Sequence, residues 1–278
     1  AVNWKHYRGG TEKGSIRRGV GLACAIHSTS IRQHVSVDAE EGWDGSAAIV
    51  EVTEDGLAKV ICGEGELGQG AKTVLAQIAA EELGLDFQDV EVAEADTENA
   101  PFCLGGYASR LTMIAGNAVR KAAIACRERL LGMAAEQLEA DQADLAIERG
   151  VIFNKGAPEK RILLCEVVTG DRSHPGGDRV SVQASWDPPT EVADSKTYYG
   201  RNTAAASFAC VAAVVEVDTE TGGVQLVEIV VADDLGRAIN PLTVEGQIHG
   251  EIAQGLGLAL FEHPVLDGGQ FVNGNLAD

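Results

Sequence analysis

Ala47-Ala48-Ile49-Val50-Glu51-Val52 and Ala212-Ala213-Val214-Val215-Glu216-Val217 are the same alternating pattern written twice in one chain. Each hexapeptide reads as a strand whose side chains point alternately to two faces. Each is followed by a turn, a second strand, an acidic-Leu-Gly step and a helix; the steps are Glu66-Leu67-Gly68 and Asp234-Leu235-Gly236. A duplication would produce this pattern, and so would two independent amphipathic hairpins. Both readings give one architecture, an α+β fold of two hairpin-plus-helix subdomains, each delivering a Gly-rich turn to a helix N-terminus. The expected division is residues 1–178 and residues 179–278.

Outward from the first hexapeptide, Asp55-Gly56 turns the chain into Leu57–Cys62, completing a hairpin. Ala71–Leu83 then sets Val74, Leu75, Ile78, Ala79 and Leu83 on one helical stripe. Val20–Ile26 and Val90–Ala95 read as strands, Ile114–Leu138 as a long Ala-rich helix, and Ala143–Phe153 as a hairpin turning at Arg149-Gly150. Asp171–Gly177 and Asp187-Pro188-Pro189 read as linkers.

The 278 residues are enough for one large domain or two small ones, and 45% hydrophobic content supports a folded core. A formal net charge of −20 repels nucleic-acid backbones and anionic lipid alike, so neither nucleic acid nor a membrane is an expected partner. No apolar run approaches the ~18 residues of a membrane span, and the first thirty residues lack the pattern of a secretory signal. Cys24, Cys62, Cys103, Cys126, Cys165 and Cys210 form no CxxC pair, which favours reduced thiols and a cytoplasmic location. The histidines His6, His27, His34, His174, His249 and His263 have no metal-ligand spacing, so no protein-ligated metal is expected. G-x-S-x-G, H-E-x-x-H and G-K-[ST] are all missing.

Three segments carry candidate chemistry. Gly63-Glu64-Gly65-Glu66-Leu67-Gly68-Gln69-Gly70 opens a helix, where backbone N–H groups and the helix dipole favour an anion. Gly63, Gly65 and Gly68 also satisfy G-x-G-x-x-G, with Glu91 at the distance of a ribose-binding acid, so an NAD-binding dehydrogenase has to be weighed. Against it, the preceding strand is a hairpin arm rather than the start of a βαβ unit, and Glu64 and Glu66 would repel a pyrophosphate. A glycine-rich turn with no ligand is the plain alternative. In the second segment, Gly105–Thr112, Arg110 is the first basic residue after Lys72, in a stretch rich in acids. A cation at a helix start calls for an anion, supplied either by a bound phosphate beside Ser109 or by an acid such as Glu98 or Asp96. The third is Asn240-Pro241, a helix start, followed by Gly246, Gly250, Ala253 and Gly257 on one ridge. Close helix packing or a bulky ligand would account for those glycines; Gln247 and Gln254 share a neighbouring face.

Together these segments resemble the molybdenum-cofactor-binding region of the xanthine dehydrogenase/aldehyde oxidase family. The resemblance rests on Gly65–Gly70 with Gln77–Gly84, Ala108-Ser109-Arg110 with Gly116-Asn117-Ala118-Val119, Val217-Asp218 with Thr221-Gly222, and Ile239-Asn240-Pro241 with Gly246-Gln247 and Gln254–Gly257. Their order and spacing span nearly the whole chain. Asp96-Thr97 with Gly106–Arg110 is similar to the branch containing 4-hydroxybenzoyl-CoA reductases.

The resemblance implies a molybdopterin, in bacteria usually its cytosine dinucleotide form. Gly68, Gln69 and Gly70 would meet its pterin side, Ala108, Ser109 and Arg110 its phosphate region, and Gln247 a pterin edge. It implies an oxidoreductase acting on an aldehyde, aromatic heterocycle, aromatic acyl-CoA or similar small molecule, with iron–sulfur and FAD groups on partner domains or subunits. The family's catalytic glutamate and the upstream half of its cofactor region have no counterpart here, and the last residues, Asn273–Asp278, resemble sequence shortly before the catalytic Gly-Glu segment. Together with Ala rather than Met at position 1, this reads as part of a larger molybdenum subunit, inactive alone and able to self-associate through faces its neighbours would cover. The alternative is a non-catalytic folded remnant or scaffold piece.

Overall fold

The computed structural model describes residues 14–32, 43–170, 179–194, 196–197 and 199–275. The expected linker Asp171–Gly177, the histidines at 6, 34 and 174, and the last three residues lie outside these. In chain order the elements are β1 (Ile16–Thr29), β2 (Ser46–Thr53), β3 (Ala58–Cys62), α1 (Ala71–Leu83), β4 (Val90–Val92), α2 (Leu111–Leu138), β5 (Leu145–Glu148), β6 (Val151–Asn154), β7 (Ala157–Leu163), α3 (Leu164–Gly170), β8 (Arg179–Trp186), β9 (Ala205–Asp218), β10 (Val224–Asp234), α4 (Pro241–Leu260), β11 (Leu266–Asp267) and β12 (Gln270–Phe271). Helix and strand are mixed as the paired hexapeptides predict, and each hexapeptide sits in a hairpin that leads to a helix.

The core forms between the sheet β4-β3-β2-β8 and helices α1 and α2. Alternation along β2 puts Ala48, Val50 and Val52 wholly out of water while Ala47, Ile49 and Glu51 stay partly exposed. α2 lays Ala115, Ala118, Val119, Ala122, Ala123, Cys126, Leu130 and Ala134 on that face. The many alanines let the helix come close, and at Gly116 the approach to α1 is so tight that a Cβ would lie 2.9 Å from the end of Ile78. Each Val or Leu buried in this way stabilises by about 1.5–3 kcal/mol.

Two pairings depart from the sequence reading. β4 adds to β3 in parallel, with α1 as the crossover, so β3 is at once a hairpin arm and the first strand of a βαβ unit. Strand pairing also crosses the expected 178/179 boundary in both directions. β1 pairs with β9 along its whole length, and β8 pairs with β2. Hydrophobic alternation shows which face a strand buries but not which strand lies beside it, so these pairings carry no mark in the sequence.

The β1-β9-β10 sheet and α4 are mostly exposed, with Leu22, Ile26, Phe208, Leu242, Leu258 and Phe261 all more than half accessible. α4 has no buried residue. Added Cβ atoms at Gly246 and Gly250 would meet nothing within 4 Å, while one at Gly257 would lie 2.5 Å from the Glu262 carboxylate, so among the described residues the first half of the small-residue ridge packs against nothing. No helix among the described residues is long and apolar enough to cross a membrane.

Two helix ends give a test of this geometry. Gly84 ends α1 at φ 72°, and a Cβ there would lie 2.3 Å from the Ile147 carbonyl oxygen. Gly84→Ala should therefore cost about 2–4 kcal/mol, left-handed strain plus backbone overlap. Exposed Glu139 ends α2 at φ 46°, so Glu139→Gly should gain about 0.5–1 kcal/mol. Urea midpoints of the two variants should shift in opposite directions.

Candidate functional site

The loop after β3 is organised by its own side chains. Glu66 Oε1 accepts from the N–H of Gly68 (2.8 Å) and of Gly70 (3.0 Å), and Oε2 accepts from the N–H of Lys72 (3.1 Å). Gln69 closes the same turn, accepting from Leu67 N–H at 2.6 Å and donating to the Gly65 carbonyl at 3.1 Å. Slight desolvation opposes it, but those accepted bonds and the charge of Lys72 hold the Glu66 carboxyl below its usual range. The helix N-terminus of α1 therefore already holds an anion, the carboxylate of Glu66. That occupancy, rather than the absence of a βαβ unit, is what speaks against a dinucleotide pyrophosphate here. Gly68 (φ 98°) and Gly70 (φ 83°) need their freedom, and a Cβ on Gly65 or Gly68 would enter open space.

The start of α2 is different. Ala108 (φ 47°) and Ser109 (φ 53°) are both left-handed without being glycine, a costly pair of conformations that surrounding bonds must hold. Ser30 N–H donates to the Ala108 carbonyl at 2.8 Å, and Arg110 N–H to that of Tyr107 at 3.1 Å. Among the described residues, no hydrogen bond uses the N–H groups of Ala108, Ser109, Leu111, Thr112 or Met113. Free donors at a helix start form an anion-accepting surface, so this capacity lies at α2 and not at α1.

Arg110 itself points inward and is fully buried. Its Nη1 donates to Glu64 Oε1 (3.1 Å) and the Gly105 carbonyl (3.1 Å), and its Nη2 to the carbonyls of Asp44 (2.8 Å) and Gly45 (2.9 Å). Nε lies 3.5 Å from Asp44 Oδ1, and the guanidinium carbon sits 5.5 Å from the Tyr107 ring centroid. Ser46 Oγ donates to Glu64 Oε1 at 2.9 Å, and Ser30 Oγ to Asp44 Oδ2. Ser30, Asp44, Ser46, Glu64 and Arg110 are all the buried polar residues among those described, and they form one network. Burial raises the Glu64 carboxyl against the opposing Ser46 bond and Arg110 charge. The expectation that Arg110 pairs with Glu98 or Asp96 is thus corrected: its acids are Glu64 and Asp44. Local sequence gave no sign of them, because they lie far from Arg110 along the chain.

The third segment joins the other two. A Cβ on Gly70 would meet Thr243 of α4 at 2.7 Å, and Asn240 Nδ2 donates to Gln77 Oε1 at 3.1 Å. Asn240 Oδ1 caps the helix by accepting from Thr243 N–H at 3.2 Å. Gln247, exposed and one turn after Thr243, lies on the helix face that meets Gly70. On the other side, a Cβ on Gly63 would lie 2.7 Å from the Pro101 carbonyl oxygen, and one on Gly106 would lie 3.6 Å from Leu67. Gly68, Gln69, Gly70, Ala108, Ser109 and Gln247 therefore belong to three adjoining segments, with Arg110 beneath them. Burial pushes the Cys62 thiol up to about 11, which removes it as a nucleophile. Among the described residues, no group of three His, Cys, Asp or Glu could hold a metal ion.

The profile of the family described as "Molybdopterin cofactor-binding domain" matches residues 2–278. The chain is 38% identical over 213 residues to the 6-hydroxypseudooxynicotine dehydrogenase complex subunit gamma of Paenarthrobacter nicotinovorans, covering 77% of this chain and 26% of that protein. It is 33% identical over 276 residues to the xanthine dehydrogenase molybdenum-binding subunit of Escherichia coli O157:H7, covering 96% and 34%. Among solved structures, the Cu,Mo-CO dehydrogenase in its carbon monoxide reduced state superposes with a TM-score of 0.80 at 25% identity, covering 96% of this chain and 32% of that one. Quinoline 2-oxidoreductase from Pseudomonas putida 86 gives 0.77 at 31% identity, covering 95% and 33%. The chain thus spans about a quarter to a third of the length of these proteins.

Because Glu66 holds the α1 loop closed, Glu66→Ala should cost about 0.5–2 kcal/mol, the range of a lost helix cap, and should speed amide exchange at Gly68, Gly70 and Lys72. Its folded carboxyl lies below the unfolded value of about 4.3, so this contribution is present above that value and is lost as pH falls through the depressed one. Glu64 has the opposite sign. With its folded value raised, its contribution is present below the unfolded value and lost as pH rises through the folded one. As pH rises through the carboxylate range, the parent should therefore gain stability relative to Glu66→Ala and lose it relative to Glu64→Gln.

Proposed function

The chain belongs to the molybdopterin cofactor-binding domain family, and from that premise we propose that it forms one wall of the cofactor site in a molybdenum-dependent oxidoreductase. The observation that carries this reading is the convergence of the Gly65–Gly70 loop, the Ala108–Ser109 turn and the first turns of α4 through the Gly106–Leu67 and Gly70–Thr243 approaches. The residues fit the group. The open space over Gly65 and Gly68 admits a flat ring, free N–H groups at 108, 109 and 111–113 suit a phosphate, and Gln247 can both donate and accept at a pterin edge.

In this reading Gly68, Gln69 and Gly70 present backbone to the pterin side, and Ala108 and Ser109 receive the phosphate region through their amides. Arg110 serves the site through its main chain and its buried contacts. When bound, the molybdenum group supplies the redox chemistry, oxidation or reduction of a small organic molecule. The tasks of this chain are to bind, to orient and to keep water off the cofactor face. The cytosine dinucleotide form agrees with free donors at a helix start set apart from the glycine loop. The exposed faces of β1-β9-β10 and α4 suit burial against the rest of a large subunit, with iron–sulfur and flavin subunits completing the complex in the cytoplasm. Those faces also favour self-association of the chain when it is purified alone.

Metal and pterin analysis tests this. The chain purified alone should carry little or no molybdenum, and a stoichiometric amount would overturn the need for partner segments. In the assembled enzyme, Gly68→Val puts a branched side chain at φ 98° into the open space, and cofactor content should collapse while the secondary structure persists. Gln247→Ala should weaken retention by up to about tenfold, one hydrogen bond of about 0.5–1.5 kcal/mol. Full occupancy in both variants would remove these segments from the site.

A further inference from the structure

Arg110 is the largest fully buried side chain among the described residues, yet its charge meets no solvent and no open cleft. Its acceptors come from places that border the two loops: the 44–45 lead-in to β2, Glu64 immediately before the Gly65–Gly70 loop, and Gly105 immediately before the Ala108–Ser109 turn. A return path closes the circuit. Ser30 holds the Asp44 carboxylate with its hydroxyl and the Ala108 carbonyl with its N–H. Both ends of the left-handed turn are thus tied to the base of the glycine loop.

We propose that Arg110 is a positioning residue: acting through Glu64, Asp44 and Ser30, it fixes the Ala108–Ser109 turn relative to the Gly65–Gly70 loop and so sets the spacing of the cofactor-facing segments without touching the cofactor. This rests on the reading that those two segments hold the cofactor. Two features favour positioning over simple stabilisation. Buried ion pairs contribute little net stability against apolar packing of the same volume, and here two carboxylates share one guanidinium. Asp44 Oδ1 and Arg110 Nε also face each other at 3.5 Å without forming a hydrogen bond, a loss that stability alone would not favour. What the network does supply is direction, because a planar guanidinium fixes the angles between its acceptors as an ammonium cannot.

The test uses the complete large subunit in its assembled enzyme, with pterin release followed by fluorescence at a fixed interval below each variant's own unfolding midpoint. Matching the interval removes the effect of lost stability. Arg110→Lys should release cofactor at least tenfold faster than the parent, and Glu64→Gln, which keeps an acceptor for the guanidinium, should release it more slowly than Glu64→Ala. Val119→Ala, a cavity in the core away from the network, sets the rate for destabilisation alone. If Arg110→Lys matches Val119→Ala while Gly68→Val still empties the site, the positioning role is wrong and the cofactor reading stands. If Gly68→Val also retains cofactor, the reading beneath it has failed. Should Arg110→Lys not assemble, Ser30→Ala makes the same comparison, with at least threefold faster release expected and parity with Val119→Ala overturning the proposal.

Discussion

One buried guanidinium constrains the most distinctive part of this chain. A guanidinium carries only donors, so the fully buried site around Arg110 must supply acceptors for it, and those acceptors come from the β2 lead-in, the end of β3 and the turn before α2. Once these segments are gathered around one planar group, the two loops have little freedom left relative to each other. The left-handed conformations at Ala108 and Ser109 follow from this. The chain must turn sharply for Arg110 to reach inward while α2 sets off along the sheet. Strain in the turn is offset by hydrogen bonds beneath it, and the N–H groups above it are left free.

The β3–α1 loop solves a similar problem by another route. There the N–H groups are satisfied within the loop by Glu66 and Gln69, so its shape is set before any ligand arrives. One loop is internally complete and the other keeps open donors. In the proposed reading, the first loop meets the pterin side of the cofactor and the second its phosphate region.

Local chemistry made much of the fold readable in the sequence. Alternation placed β2 and β3, the apolar stripe placed α1 at the observed Ala71–Leu83, and Asn240-Pro241 marked the start of α4. What stayed hidden was set by distant partners. The parallel β3–β4 pair and the crossing of the 178/179 line depend on which strands meet, and alternation does not encode that. Arg110 is legible as an isolated cation, but the acids near it in sequence are Glu98 and Asp96, while Glu64 and Asp44 are 46 and 66 residues away. Asp44, Ser30 and Ser46 carried no motif at all, since a hydroxyl or carboxylate in a buried network shows no periodicity. In the sequence, Glu64 shows only as a charge hostile to phosphate. On the α4 ridge, Gly246 and Gly250 keep open Cβ positions, so close packing and a ligand both remain as reasons for them.

The pairing of β1 with β9 also sets a timetable for synthesis. Cys24 faces Cys210, 186 residues later in the chain. At about 5–20 residues per second, a ribosome needs about 10–40 s to deliver the partner of a strand it has already released. Through that interval β1, charged only at Arg17 and Arg18 near its start, is a long edge that carries Val20, Leu22 and Ile26 over a stretch without charge, the kind of segment that pairs with whatever strand it meets first. The newborn chain therefore has its greatest need of chaperone protection before the sheet that later covers this edge exists.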